Sequence, residues 1–247
     1  MKVSAIIPTW NLSSKLDKCL EHLYKYTDMD KVQIIIVDNG SNDETFHMVM
    51  DKYFRHGTDS YLKLARNHGF GEASNMGARA SDGELLLFLN NDVYVSEEGW
   101  LDNMASEILA GATIVGHKLL YANDTIQHAG IFFNVQGIPL HLWRGKPADY
   151  EPTLHTKRLT AVTGACMMIC SDDFSRLGGF DTSYINGFED IDLCFKSVSM
   201  SGRISCCMDS KIYHDECSTP SRRDFDARNA QIFVSRWFAP QVRGGSE

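Results

Sequence analysis

Several features are missing from this 247-residue chain, and each absence excludes something. None of its seven cysteines forms a CxxC pair, which excludes a zinc knuckle and a thioredoxin-type redox site. No GxxxxGK[ST] segment occurs, so there is no P-loop. No run approaches the ~18 apolar residues of a membrane span. The six prolines and 19 glycines are scattered, so no linker divides the chain, and no internal repeat is visible. Basic residues are in the minority, with 24 Lys and Arg against 32 Asp and Glu and a formal net charge of -8. That argues against sequence-independent nucleic-acid binding, which needs a basic face. It leaves room for a small anionic substrate, because a local cluster or a bound cation reverses the sign locally. The apolar stretch at residues 3–7 is too short for a signal peptide and runs into polar residues. A cytoplasmic protein is expected, with contact at the inner face of the membrane left open. The odd cysteine count, with Cys166 and Cys170 set in an apolar run, points to reduced, buried thiols.

What is present is an ordinary folding composition, 43% hydrophobic and 23% charged. Apolar runs at 3–7, 32–37, 61–65 and 84–89 read as strands. Helical spacing separates them: Leu16, Cys19, Leu20 and Leu23 recur at three and four residues, and further helices are expected over 43–54 and 71–80. Uniformly apolar strands joined by helices imply a parallel sheet covered on both faces. The second half changes character. A helix is expected over 98–109, with Leu101, Met104, Ile108 and Leu109 inward. Short strands are expected at 113–117, 125–133, 161–170, 203–208 and 211–214. Helices are expected over 189–200, with Ile191, Cys194, Phe195 and Val198 on one face, and over 222–238. The polar stretch carrying Pro139, Pro147 and Pro152 reads as a long surface loop.

In a parallel α/β sheet the ligand crevice lies beyond the C-terminal strand ends. Four polar segments fall there: Pro8-Thr9-Trp10-Asn11, Asp38-Asn39-Gly40-Ser41, Arg66-Asn67-His68-Gly69 and Asn90-Asn91-Asp92. Any one of them is ordinary turn chemistry. Four at one rim mark a site. Gly69 to Ser74 begins like GxGxxG but ends in Ser, so a dinucleotide fold is weakly supported.

The four segments, with Thr163-Gly164-Ala165-Cys166, Gly178-Gly179-Phe180-Asp181, Gly187-Phe188-Glu189-Asp190-Ile191-Asp192-Leu193 and Tyr213-His214, occur in the order seen in glycosyltransferase family 2. The chain resembles that family over residues 3–219, most closely its rhamnosyltransferase-like branch. The resemblance implies a GT-A fold: a Rossmann-like, mostly parallel sheet with helices on both faces and a smaller mixed sheet on the acceptor side. It implies one unit over residues 1–240, with a nucleotide-binding half (1–95), an acceptor half (96–220) and a last helix (221–240), followed by a tail (241–247). The implied activity is inverting, metal-dependent transfer from a UDP-, dTDP- or GDP-sugar to a glycan, a lipid-linked glycan or another hydroxyl acceptor.

The resemblance also assigns residues. Asp38 would accept from a pyrimidine N–H, with an Asx-turn role as its ordinary alternative. Pro8, Thr9, Asn11 and Asn39 would line the base and ribose pocket. Arg66 or Asn67 would meet the base or diphosphate. Asn91 would line the donor side, and Asn75 with its small neighbours would let backbone approach the donor. Asp92 and His214 would hold Mn²⁺ or Mg²⁺. The family's usual Asp-x-Asp is here Asn90-Asn91-Asp92, which leaves one carboxylate where a hard cation prefers two. Asp190 is the implied base, with Glu189 as positioning group or substitute. Asp192 would support the helix start and Asp181 a turn. His117, His128, His141 and His155 show no metal spacing, Met167-Met168 reads as core, Arg222-Arg223 as solvated, and Trp143-Arg144 as a candidate for shaping the acceptor site. Two other readings stay open. One is a degenerate domain that binds nucleotide sugar or glycan without turnover. The other, disfavoured because the Gly- and Arg-rich opening loop is lacking, is a sugar-nucleotide pyrophosphorylase.

Overall fold

A computed structural model of the chain describes residues 1–54, 59–135, 137–151, 159–215 and 225–238. The first half alternates strand and helix: β1 (Val3–Thr9), α1 (Ser13–Tyr26), β2 (Val32–Asp38), α2 (Thr45–Lys52), β3 (Ser60–Lys63), α3 (Phe70–Arg79) and β4 (Leu85–Leu89). The second half begins with β5 (Val93–Val95), α4 (Trp100–Leu109), β6 (Ile114–Leu120), β7 (Ile126–His128), β8 (Ile131–Phe133) and β9 (Pro139–His141). It continues with β10 (Cys166–Cys170), α5 (Ser171–Arg176), α6 (Glu189–Ser199), β11 (Ile204–His214) and α7 (Asp226–Trp237).

Among the described residues one nine-stranded sheet has the order β3-β2-β1-β4-β10-β6-β11-β5, with β7 paired to β6 off this path. Strands β3, β2, β1, β4, β6 and β11 point one way, and β10, β5 and β7 run against them. The second sheet is the antiparallel hairpin β8–β9. Period-two alternation divides the core between the two faces. Ala5, Ile7, Ile34, Ile36, Leu85 and Leu87 join α1 and α4 on one side. Ile6, Ile35, Val37, Leu86 and Phe88 join α3 and α6 on the other. The continuous apolar runs are thus explained by burial on both faces. Close packing also explains the small residues of α3. A Cβ on Gly77 would lie 2.4 Å from the Ile6 Cγ2, so glycine lets the helix settle onto β1.

The elements differ from the sequence expectation in particular places. Strand β1 continues through Pro8 to Thr9, and Pro8 keeps its register with Val37. The stretch 125–133 divides at Ala129-Gly130 into β7 and β8, and 161–170 yields strand only from Cys166. The two late strands are one, β11, whose pairing with β6 shifts between Cys207 and Ile212. Strands β5 and β9 and helix α5 are additional, and Pro139 lies in β9 rather than in a loop. Leu109 and Val198 are 73% and 44% exposed, not inward. Each lies in the last turn of its helix, and Trp100 completes the inward face of α4. The six described cysteines are free, five of them buried. Burial pushes the thiols up, Cys207 to about 12, so they stay protonated. Among the described residues no helix is long and apolar enough to cross a membrane. Pro152, His155, Arg222-Arg223, Cys217 and the tail 241–247 lie outside the described residues.

Candidate active site

The strand order reverses between β1 and β4: β2 and β3 lie to one side of β1, and β4 to the other. A cleft of about 620 Å³ opens at this switch point, beyond the C-terminal strand ends. The wall from the first half of the chain carries Pro8, Thr9, Trp10, Asn39, Asn67 and Asn91. Hydrogen bonds tie the loops there into one rim. Asn91 Nδ2 donates to Thr9 Oγ1 at 2.8 Å. Asn39 Nδ2 donates to Asn67 Oδ1 at 3.0 Å and to the Gly69 carbonyl at 3.1 Å, while its Oδ1 accepts from the His68 amide at 2.8 Å.

At the floor, Asp92 and His214 meet across the ends of β4 and β11. Both are buried. Gln127 on β7 grips His214 at both ends: its Nε2 donates to the His214 carbonyl at 3.0 Å, and its Oε1 lies 2.6 Å from Nδ1. A carbonyl oxygen only accepts, so Nδ1 carries a proton and Nε2 is turned away from Gln127. Nε2 lies 3.2 Å from Asp92 Oδ1 and 3.4 Å from the Asn90 side-chain Nδ2. Asp92 Oδ1 is buried and has no hydrogen-bond partner among the described residues. Nε2 and Asp92 Oδ1 therefore face one another across a gap suited to a proton on the imidazole or to a cation.

The acidic pair lies on the opposite wall, at the start of α6. Asp190 Oδ2 accepts from the Gly164 amide and Oδ1 from the Ile191 amide, each at 2.8 Å, and the carboxylate lines the cleft. A Cβ on Gly164 would stand 3.1 Å from the Phe70 ring and 3.3 Å from the Asp190 Cβ, so glycine allows this approach. Glu189 is buried, and its Oε2 accepts from the Gly187 amide at 2.6 Å.

The Glycosyl transferase family 2 profile matches residues 4–176. The chain belongs to glycosyltransferase family 2. It is 29% identical over 255 residues to the O-antigen biosynthesis protein RfbC of Myxococcus xanthus, a match that covers 97% of this chain and 20% of that protein. The chain therefore spans about a fifth of the length of this relative. Its GT-A fold is shared with GalNAc-T7, solved with UDP, GalNAc and Mn²⁺ (TM-score 0.71, 19% identity, 87% of this chain and 44% of that one). The mannosyltransferase PcManGT of Pyrobaculum calidifontis, solved with GDP-Man and Mn²⁺, shares it too (TM-score 0.69, 19% identity, 94% of this chain and 62% of that one).

Within this family 2 domain the structure separates the expected site residues. Pro8, Thr9, Asn39, Asn67, Asn91, Asp92, Glu189, Asp190 and His214 all line the cleft. Asn11, Asp38, Arg66 and Asn75 do not. Asn11 bridges two rim loops, its amide donating to Ser41 Oγ and its Oδ1 accepting from the Asn42 amide. Asp38 is buried behind the rim, accepting from the Ser41 amide at 2.7 Å and the Tyr61 hydroxyl at 2.6 Å. It plays the turn role that Asp-Asn-Gly chemistry offers. Asn75 is a correction: its side chain clamps the Phe180 backbone, donating to the carbonyl at 2.8 Å and accepting from the amide at 3.0 Å. Arg66 is exposed at the rim. Trp143 packs on Tyr150, off the cleft wall.

Other residues acquire roles that spacing did not show. Gln127 sets the His214 tautomer. Asn229 of α7 is buried and holds the turn before Asp190, donating to the carbonyls of Ile185 (2.8 Å) and Gly187 (3.0 Å). Asp192 receives α7, accepting from Arg236 and Trp237 at 2.8 Å each, and its side chain caps no amide at the start of α6 among the described residues. Arg236 reaches Asp181 at 2.6 Å as well. Burial would raise the Asp181 carboxyl, but the Ser183 and Arg236 donors outweigh it and bring it down to about 2. His128 and His141, set aside on spacing, meet Nδ1 to Nδ1 at 2.7 Å, and His141 lines the cleft.

Proposed function

We propose that this domain transfers a sugar, with inversion, from a UDP-, dTDP- or GDP-sugar to a hydroxyl of a glycan or lipid-linked glycan, with Mn²⁺ or Mg²⁺ as cofactor. The observation that carries the proposal is one cleft holding two unlike constellations. At its floor the Asp92 carboxylate and His214 Nε2 face each other at 3.2 Å. On its acceptor side is the Asp190 carboxylate. The likeness to RfbC supports the glycan acceptor, and the ligands of GalNAc-T7 and PcManGT support the nucleotide sugar and the cation.

Asp92 and His214 fit a divalent cation. Their 3.2 Å separation is close to the ~3.0 Å between adjacent ligands of an octahedral ion with ~2.1 Å bonds. Gln127 supplies the outer hydrogen bond that orients a metal-bound imidazole. Among the described residues no third His, Cys, Asp or Glu completes a cluster, so the donor diphosphate would supply further oxygens. A cation bound there would offset the diphosphate charge and the charge growing on the leaving group. Pro8, Thr9, Asn39, Asn67 and Asn91 would shape the donor side, with Asn11, Asp38 and Arg66 setting the rim around it. Asp190 would take the acceptor hydroxyl's proton as that oxygen bonds to the anomeric carbon and the bond to the diphosphate breaks. Glu189 holds the Gly187 amide, and its part is to position the turn.

The test is a thermal-shift series with UDP-, dTDP- and GDP-sugars, with and without Mn²⁺. A donor at a hundredfold excess over its Kd should stabilise the domain by ~2.7 kcal/mol. Asp92→Ala should abolish the Mn²⁺-dependent part and weaken donor binding. An unchanged metal response in that variant overturns the metal assignment. Asn90 in place of an acid favours one second reading, a nucleotide-sugar binder without turnover. Release of free sugar or transfer above background excludes it.

A further inference from the structure

The turn over residues 185–187, which leads into Asp190, is fixed from three sides. Asn229 of α7 donates to the Ile185 and Gly187 carbonyls and accepts from the Ile185 amide. Glu189 accepts from the Gly187 amide. The third side is the first half of the chain: Asn186 Oδ1 accepts from the Phe70 amide, at the start of α3, at 3.0 Å. A peptide N–H only donates, so the atom facing it is the side-chain oxygen, and the plane of the amide then fixes the nitrogen. Asn186 is half-buried and lines the cleft. Its Nδ2 has no hydrogen-bond partner among the described residues. The backbone of Asn186 is left-handed, with φ 52, and so is that of Phe188, with φ 75. Glycine would meet that requirement more readily, whereas Asn tolerates it and adds a side chain. The result is an amide whose oxygen is committed and whose two N–H groups are held in place without a protein acceptor.

The position of this amide narrows what it meets. The Phe70 amide that holds it follows Gly69, whose carbonyl is held by Asn39, so Asn186 is tied to the wall that carries Asn39 and Asn67. Asp190 follows four residues later and lines the same cleft. Asn186 therefore stands where the first-half wall meets the wall of the acidic pair. Displacement with inversion places the anomeric carbon between the leaving diphosphate and the attacking hydroxyl. The ring being transferred then passes this junction, between the Asp92–His214 floor and Asp190. Pockets for small molecules fix orientation with a few placed polar groups. A side chain that can only donate suits the oxygen of a sugar hydroxyl.

We propose that Asn186 reads the transferred sugar, donating from Nδ2 to one of its hydroxyl oxygens. This rests on the glycosyltransferase reading, and the experiment separates the two. With Mn²⁺ present, calorimetry compares the UDP-, dTDP- or GDP-sugar that shifts the melting temperature most with the same nucleoside diphosphate lacking the sugar. Asn186→Asp keeps the oxygen for the Phe70 amide and loses the donor. Asn186→Gly keeps the left-handed turn and loses the whole side chain. In both variants the nucleotide-sugar Kd should rise about tenfold, the worth of one hydrogen bond. The nucleoside-diphosphate Kd of Asn186→Gly should stay within about twofold of that of the unaltered chain. Among monodeoxy forms of the sugar, one should bind the unaltered chain and Asn186→Gly equally well, which identifies the hydroxyl. An unchanged nucleotide-sugar Kd in both variants, an equal weakening of both ligands in Asn186→Gly, or a loss that no deoxy sugar removes overturns the inference and leaves the glycosyltransferase reading standing. If the unaltered chain binds no nucleotide sugar, the reading fails and the inference fails with it.

Discussion

Asp190 is held by two backbone amides, so its chemistry can be removed with little disturbance to its surroundings. In Asp190→Asn the amide oxygen still accepts from the Gly164 amide, but the side chain no longer takes a proton. The expected result is a loss of ~10²–10⁴ in kcat, the usual worth of a general base, with the nucleotide-sugar Kd unchanged by calorimetry. Turnover within a few-fold of the unaltered chain would move the base elsewhere. That Asp92, His214 and Asp190 come to one cleft was legible in the sequence because each sits in a short motif at a strand or helix end. His141 and Gln127 were not. Spacing along the chain hides a contact between residues 13 apart that meet only when the β8–β9 hairpin folds back towards His128. Asp38 and Asn75 show the converse. Their residue types suit a ligand, but backbone groups that also need partners have taken them first.

Among elements, α7 has the widest reach. It packs Phe233 against Phe133, Phe188 and Phe195, bridges Asp181 and Asp192 through Arg236, and holds the 185–187 turn through Asn229. Positive φ at Asn186 and Phe188 marks that turn as one that needs outside support. Asn229→Ala removes the two side-chain donors and the acceptor for the Ile185 amide. It should destabilise the domain by ~1–3 kcal/mol in urea unfolding and lower kcat at least tenfold at a temperature where the variant is fully folded. A stability loss with unchanged kcat would make α7 a purely structural clasp. The long elements were readable because periodicity accumulates over a helix or a buried strand. The three-residue strands β5 and β9 are too short to show a period. The shift in β11 made one strand look like two, because it interrupts the pairing while the chain runs on.

For the whole molecule, two buried neutral histidines set an acid limit. Burial brings His117 down to about 4, and His128 also lies well below its ordinary value. In the unfolded chain both titrate near ~6.5. As pH falls below that value the unfolded state takes up protons that the folded state refuses, so stability is lost from about pH 6.5 towards pH 4. His117 alone would contribute on the order of 3 kcal/mol of that loss. Urea midpoints at pH 7 and pH 4.5 should differ accordingly, and His117→Leu should reduce the difference. An equal drop in that variant would assign the acid limit to other groups.

The order of strands has a consequence for how the chain is made. Strand β10 lies between β4 and β6, yet it follows β4 by roughly 80 residues in sequence. At ~5–20 residues per second, a ribosome would need roughly 4–16 s to supply it. Through that interval Leu85–Leu89 would be an apolar strand with an open edge, the kind of surface that pairs with other chains. The nascent first half of the chain would therefore need shielding until residues 166–170 arrive to close the edge.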